Sequence, residues 1–196
     1  MSVHTLLYRL GCLIHWPPRE RAIGRGLRSL PPSVLRGARL IDVGSGLGQL
    51  SRVAREHGVD YLGLEPDDSL RQAASRDFPA ARFLPKGAED LGPVIGPADI
   101  MVLNGVAHHL PEPLFRATLE AGRDARAVIL CDHLRLGGRT HPLARWLQSR
   151  DQGKFVRDYE QLREPPGLKV HSSEFFPIGP LGMPFWTYFC NVYLRP

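Results

Sequence analysis

From Arg39 onward, short apolar runs alternate with amphipathic segments, and this alternation predicts βαβ units built around a parallel sheet. Arg39-Leu40-Ile41-Asp42-Val43 has the continuous apolar character of a buried strand. Gln49 to His57 then places Leu50, Val53, Ala54 and His57 on one helical face before Gly58 ends the helix. Val59 to Glu65 predicts a second strand, followed by a helix capped by Asp67 or Asp68 that reaches about Asp77, ahead of Pro79. Ala81 to Leu84, Ala98 to Leu103 and Ala127 to Cys131 predict three more strands, with a helix over Glu112 to Ala121 between the last two. The final third predicts helical stretches near Pro142 to Ser149 and Arg157 to Glu164. Extended segments follow near Leu168 to Phe176 and Phe185 to Leu194, pairing antiparallel through the turn region Gly179-Pro180-Leu181-Gly182. Ahead of this core, His4 to Ile14 predicts a helix interrupted at Trp16-Pro17-Pro18 and again at Pro31-Pro32. The expected organisation is one domain over residues 1–196, with residues 1–36 an N-terminal helical lid and residues 37–196 the core.

Composition narrows the classes. With 43% hydrophobic and 23% charged residues, the chain matches a water-soluble globular protein. No stretch approaches the ~20 apolar residues of a membrane span, and the apolar run from Leu6 to Trp16 is interrupted by Arg9 and His15, which also argues against a signal peptide. Cys12, Cys131 and Cys190 are odd in number and lie far apart in apolar company, as expected of reduced buried thiols in a cytoplasmic protein. The net charge of +5 comes from arginines dispersed along the chain. Dispersal argues against a nucleic-acid partner and fits a solvated surface with some attraction for anions.

Candidate chemistry concentrates at the first strand-to-helix junction. In Asp42-Val43-Gly44-Ser45-Gly46-Leu47-Gly48, glycines at alternate positions let the backbone turn tightly and approach a ligand with no Cβ in the way, while helix amides point at it. Glu65 closes the second strand, where a doubly wound sheet presents a carboxylate to ribose hydroxyls.

Together these residues resemble the class I S-adenosylmethionine-dependent methyltransferases. Residues Leu40 to Gly48 are similar to the first motif of that family, Tyr61-Leu62-Gly63-Leu64-Glu65-Pro66 to the second, and Ala98 to Leu110, with its His-His-Leu ending, to the fourth. The likeness extends over about residues 39 to 135. Asp151-Gln152-Gly153-Lys154-Phe155-Val156-Arg157 resembles a segment of some small bacterial members. The resemblance implies a Rossmann-like, doubly wound, mostly parallel seven-stranded sheet with an antiparallel C-terminal hairpin strand, and S-adenosylmethionine as cofactor. It further implies that Gly44, Gly46 and Gly48 pass the methionine part, that Glu65 holds the ribose, that Asn104 lies near the sulfonium, and that Ala88 and Glu89, with Asp90, flank the adenine. Asp42, Ser45, Pro66 and Gly105 complete the expected cofactor-binding set. The chain departs from the pattern at Gly87, where many relatives carry an acidic or hydroxyl residue, leaving adenine to backbone groups, Glu89 or Asp90.

Methyl transfer needs mainly a nucleophile held in line with an electrophilic methyl and shielded from water. His108 and His109 are the candidate catalytic pair, one member acting as a general base and the other structural. Asp132 and His133 are the candidate substrate-facing groups, and no metal is expected. Arg139, Arg145, Arg150 and Arg157, with Asp151, either close over the site or form a salt-bridged helical face. The expected activity is methylation of a small molecule, with the acceptor atom and the oligomeric state left open. The alternatives are a methyltransferase-like cofactor-binding protein without turnover, or an RNA or tRNA methyltransferase. The latter is disfavoured because Asn104 is followed by Gly105-Val106-Ala107 rather than by two prolines and an aromatic. A nicotinamide dehydrogenase is disfavoured by the alternating glycine spacing.

Overall fold

The computed structural model describes residues 3–135, 154–162, 165, 167–179 and 185–195, with side chains from residue 15 onward. Five parallel strands, β1 (Arg39–Val43), β2 (Asp60–Leu64), β3 (Arg82–Leu84), β4 (Asp99–Asn104) and β5 (Ala127–His133), are joined by β6 (Lys169–Ile178) and β7 (Trp186–Leu194). They form one sheet in the order β3-β2-β1-β4-β5-β7-β6, in which β7 runs antiparallel to both β5 and β6. The chain steps outward from β1 to β2 and β3, then returns to lay β4 on the other side of β1. That reversal opens a crevice beyond the carboxyl ends of β1 and β4, where such sheets bind ligands.

Alternation along each strand divides the core into two apolar layers. Ile100 and Val102 of β4 face one layer with Leu40, Ile129 and Val192. Met101 and Leu103 face the other with Ile41, Val43, Leu130 and Phe115. The second layer is covered partly by α5 (Glu112–Gly122). The first is covered by α3 (Leu50–Glu56), α4 (Asp68–Asp77) and α1 (Val3–Ser29). Asp67 caps α4 as expected, its carboxylate accepting from the amides of Ser69 and Leu70 at 2.8 and 2.9 Å.

Three expectations change. The helix expected to stop at Trp16-Pro17-Pro18 continues through both prolines to Ser29, with only the short α2 (Pro32–Leu35) after it. Prolines in a helix interior remove backbone donors and crowd the preceding turn. Here burial of Trp16, Ala22, Ile23, Leu27 and Leu30 in the first core layer offsets that cost. The second half of α1 is therefore core rather than appendage, and it passes so near β7 that a Cβ on Gly26 would lie 3.0 Å from Val192 Cγ2. Arg157 to Glu164 is not a helix over its described part but a 3-10 turn at Tyr159–Gln161. β5 runs two residues further than expected, so Asp132 and His133 end a strand instead of beginning a loop. The antiparallel pairing of the last two strands is as expected. The expected helix near Pro142 to Ser149, the center of the Gly179 to Gly182 turn and the residues Arg139, Arg145, Arg150 and Asp151 lie outside the described residues. Among the described residues no helix is long and apolar enough to cross a membrane.

Because Leu27 is fully buried between α1 and the sheet, Leu27→Ala is expected to cost ~2–5 kcal/mol in urea unfolding. A loss under ~0.5 kcal/mol, the range of ordinary surface substitutions, would contradict the placement of α1 in the core.

Candidate active site

The glycine turn leaves β1 and is fastened at once to its neighbour: the amides of Gly44 and Ser45 both donate to the carbonyl of Leu64 at 2.9 Å. Gly44, Gly46 and Gly48 adopt φ of +71°, +53° and +72°, a region that costs any other residue strain. At Gly48 the constraint is double, since a Cβ there would also lie 2.5 Å from the Phe83 ring. Glu65, at the end of β2, reaches across. Its Oε2 accepts from the Gly46 amide at 2.7 Å and its Oε1 from the Asp67 amide at 2.9 Å. Burial pushes the Glu65 carboxyl up, while those two amides pull it down. Each oxygen uses one acceptor site here, so the carboxylate retains capacity for two further donors.

Asp42, beneath the turn, is fully buried and accepts a 2.7 Å hydrogen bond from the Tyr61 hydroxyl. Burial pushes its carboxyl up to about 7, against the Tyr61 hydrogen bond and the charge of Arg19, and with the help of nearby Glu65. Asn104 ends β4 on the opposite side of the turn with its Oδ1 buried and without a partner among the described residues, which leaves an acceptor for a ligand donor. At Gly87 the side chain absent from the chain is replaced from two residues on. The Glu89 carboxylate lies where a Cβ on Gly87 would begin, and Asp90 Oδ2 accepts from the Gly87 amide at 3.2 Å. Ala88 is buried and Glu89 exposed, whereas Pro66 lies exposed just beyond Glu65.

A second cluster lies at the ends of β4 and β5. His108, in the 3-10 turn Ala107–His109, donates from Nδ1 to Asp132 Oδ1 at 2.7 Å, and its backbone amide reaches Asp132 Oδ2 at 3.1 Å. The His133 amide also donates to Asp132 Oδ1, at 2.7 Å. Burial pushes the Asp132 carboxyl up, but the charge and hydrogen bond of His108, aided by His133, hold it well below the usual carboxylate range. Asp132 is 1% exposed and three donors from His108 and His133 already reach its two oxygens, which places it behind the histidines. His133 packs its ring 4.4 Å from that of His108 and 5.6 Å from that of Tyr188, and its buried Nε2 has no partner among the described residues. His109 is exposed, its ring 4.0 Å from that of His108.

The turn bearing the histidine pair is held from below by Arg157. This buried guanidinium donates to the carbonyls of Ala107 at 2.7 Å and Leu110 at 2.9 Å, pairs with Glu112 at 3.0 Å and lies 4.0 Å from the Phe115 ring centroid. It thus serves the turn, and neither of the two roles expected of it. Among the described residues, His108, Asp132 and His133 form the one group with donor atoms close enough for a metal, within 4.8 Å of one another. The 2.7 Å contact already joins two of them as a hydrogen bond, and Arg157 lines the same void of about 10 Å³, which disfavours a cation.

The fold therefore gathers Asp42, Gly44, Ser45, Gly46, Gly48, Glu65, Asn104 and Gly105 at one crevice, with His108, His109, Asp132 and His133 beside it. Two residues were not among the expected site residues. Tyr61 is the hydrogen-bond partner of Asp42. Arg19 brings its guanidinium from α1 to Gly105, where a Cβ would collide with it. Cys131 and Cys190, distant in sequence, are directly opposed across β5 and β7 as free, buried thiols.

The raised Asp42 carboxyl predicts a pH signature. Between about pH 4 and 7 the folded state holds a proton on Asp42 that the unfolded chain has released, so this group's contribution to stability falls as pH rises through that window. Asp42→Asn, which keeps an acceptor for Tyr61, should match the parent protein near pH 4 and become progressively more stable than it toward pH 8, each pKa unit being worth ~1.4 kcal/mol. Parallel unfolding curves at all pH values would show that Asp42 titrates normally.

Comparison with known proteins agrees with this architecture. Residues 15–170 match the family model described as a methyltransferase domain. An uncharacterized methyltransferase of Mycobacterium leprae is 34% identical over 153 residues, covering 72% of this chain and 54% of that protein. One of Mycobacteroides abscessus is 31% identical over 154 residues, covering 74% and 58%. The chain spans from about a third to just over half the length of the curated relatives it matches. Among solved structures, magnesium protoporphyrin IX methyltransferase from Synechocystis with bound SAH superposes with a TM-score of 0.63 at 17% identity, covering 89% of this chain and 84% of that one. The protein described for conversion of a disulfide bond into a thioacetal group during echinomycin biosynthesis gives 0.62 at 19%, covering 83% and 77%. At such identities the structural likeness speaks for the fold, while the family match spans most of the sequence: this chain belongs to the methyltransferase domain family.

Proposed function

We propose that the protein transfers a methyl group from S-adenosylmethionine to a small-molecule acceptor in the crevice beyond β1, β4 and β5. The observation that carries this reading is the Glu65 carboxylate closed onto the Gly46 amide at 2.7 Å, which puts an acceptor for a ribose diol directly against the glycine-rich turn. The Oδ1 of Asn104 across the turn, buried without a partner among the described residues, supports a ligand there. Gly44, Ser45, Gly46 and Gly48 would pass the methionine portion, Asp42 would face its ammonium, and Glu65 and Pro66 would border the ribose. Ala88 and Glu89 would flank the adenine, with Glu89 filling in for Gly87. Asn104 and Gly105 would lie beneath the sulfonium. The cofactor supplies an electrophilic methyl carbon whose bond to sulfur breaks as the acceptor's lone pair attacks.

The chain's own part is to place the acceptor and receive its proton. Asp132 fixes the His108 ring through Nδ1, which leaves Nε2 as the basic nitrogen, and the ionised carboxylate favours the imidazolium that results. Asp132 is then a positioning residue, and His133, with its unpartnered Nε2, is the substrate contact at the end of β5. Residues 15–19 of α1 would wall the crevice: His15 Nδ1 lies 3.2 Å from the Tyr188 hydroxyl and its ring 4.8 Å from that of Trp186. A lid role for the N-terminal segment thus rests on a helix anchored in the core of a single domain.

The activity is tested by incubating the protein with S-adenosylmethionine carrying a trideuterated methyl group and, in parallel, a small-molecule extract or the total RNA of the source cells. Mass spectrometry should find a labelled product, absent with Glu65→Ala. Cofactor binding without any labelled product would favour the binding protein without turnover, and label in RNA would favour the nucleic-acid enzyme. On the acceptor so identified, His108→Ala should lower kcat by ~100-fold or more and remove the acidic limb of the pH profile, with His109→Ala costing less than tenfold. Near-normal turnover and pH profile in both variants would leave positioning alone as the source of catalysis.

A further inference from the structure

The crevice contains a cation that no sequence motif marks. Arg19 projects from α1, anchored by its Nε donating to the His15 carbonyl at 3.1 Å. Its guanidinium fills the space beside Gly105, and its Cζ lies 6.0 Å from the Tyr188 ring centroid. Its charge acts on Asp42 and on Cys131, drawing both toward their ionised forms. Asp42, Cys131 and Tyr188 lie in β1, β5 and β7, and Gly105 directly follows β4, so the guanidinium stands over the carboxyl edge of the sheet beside the glycine turn.

A carboxylate and a guanidinium so placed match a zwitterion. The amino-acid tail of S-adenosylmethionine carries an α-ammonium and an α-carboxylate on one carbon. The turn from Gly44 to Gly48 beside Asp42 carries no cationic side chain to receive the second of these charges. We propose that Arg19 binds the α-carboxylate of the cofactor while Asp42 faces the α-ammonium, so that the N-terminal helix contributes directly to the cofactor site. This assignment rests on the methyltransferase reading above. Near the couple, Tyr61 donates to Asp42 and Glu65 accepts from the Gly46 and Asp67 amides. A planar guanidinium suits this role because it can grip both carboxylate oxygens. Its seat against Gly105 and over the Tyr188 ring limits the freedom it loses on binding.

The test is a calorimetric comparison of two ligands on the full chain: S-adenosylhomocysteine, and S-adenosyl-3-thiopropylamine, the same molecule without its carboxylate. The parent protein should prefer the first by about 10- to 150-fold, the equivalent of ~1.5–3 kcal/mol for a hydrogen-bonded charge. Arg19→Met should abolish that preference by weakening S-adenosylhomocysteine alone, changing the affinity for the amine less than threefold. Arg19→Lys, which keeps the charge without the fork, should retain an intermediate preference and serves as the reporter if the methionine variant does not fold. Equal losses for both ligands would make Arg19 merely structural, and an unchanged preference would assign its charge to another anion such as an acidic acceptor. Either result overturns the proposal. Failure of the parent protein to bind either ligand would instead bring down the methyltransferase reading, and the role of Arg19 with it.

Discussion

The pairing of β1 with β2 on one side and β4 on the other is the constraint from which the site follows. Parallel strands bring their carboxyl ends to the same edge, and the chain leaves β1 in one direction and returns at β4 in the other. The connections therefore diverge above β1 and cannot cover it. Whatever fills that gap must accept backbone amides, which is why the turn from Gly44 to Gly48 is tied down by the Leu64 carbonyl and by Glu65 rather than by its own side chains. Gly48 shows how closely the surroundings have been fitted to this choice, because the Phe83 ring occupies the place a side chain would need.

Burying three carboxylates near one edge is expensive unless each is matched, and the three are matched differently. Glu65 is held by two amides and retains acceptor capacity. Asp132 is held by the imidazole of His108 and two amides, stays ionised and orients a base. Asp42 has a single hydroxyl donor and is left with a carboxyl near neutrality. An incompletely compensated acid of this kind is costly to an empty protein and useful to one that binds a cation. The same logic applies to Asn104 and His133, whose buried atoms lack a partner among the described residues and gain one if a ligand donates or accepts there.

The parallel strands were legible because their apolar runs are short, continuous and bounded by glycine, proline or acidic residues, as in Arg39 to Val43. The cofactor edge was legible because glycine spacing and a strand-end acid reflect backbone geometry. Tertiary burial decided what was not legible. Pro17 and Pro18 carry a strong local signal for a break, and only the sheet surface offered to Ile23 and Leu27 overrides it. Arg157 looked like one of several surface arginines, and its partners, the carbonyls of Ala107 and Leu110, leave no trace in the sequence. The histidine pair announced itself through a motif. Its division into a buried His108 on Asp132 and an exposed His109 depended on β5 extending two residues beyond its apolar run.

The central claim, that this edge of the sheet is a cofactor site, is tested most directly by a crystal structure of the protein grown with S-adenosylhomocysteine. The account predicts the ribose hydroxyls within hydrogen-bonding distance of Glu65, the adenine beside Ala88 and Glu89, and the amino-acid tail over the glycine turn toward Asp42. A ligand bound elsewhere on the molecule, with the crevice closed and Glu65 still serving only the amides of Gly46 and Asp67, would contradict it.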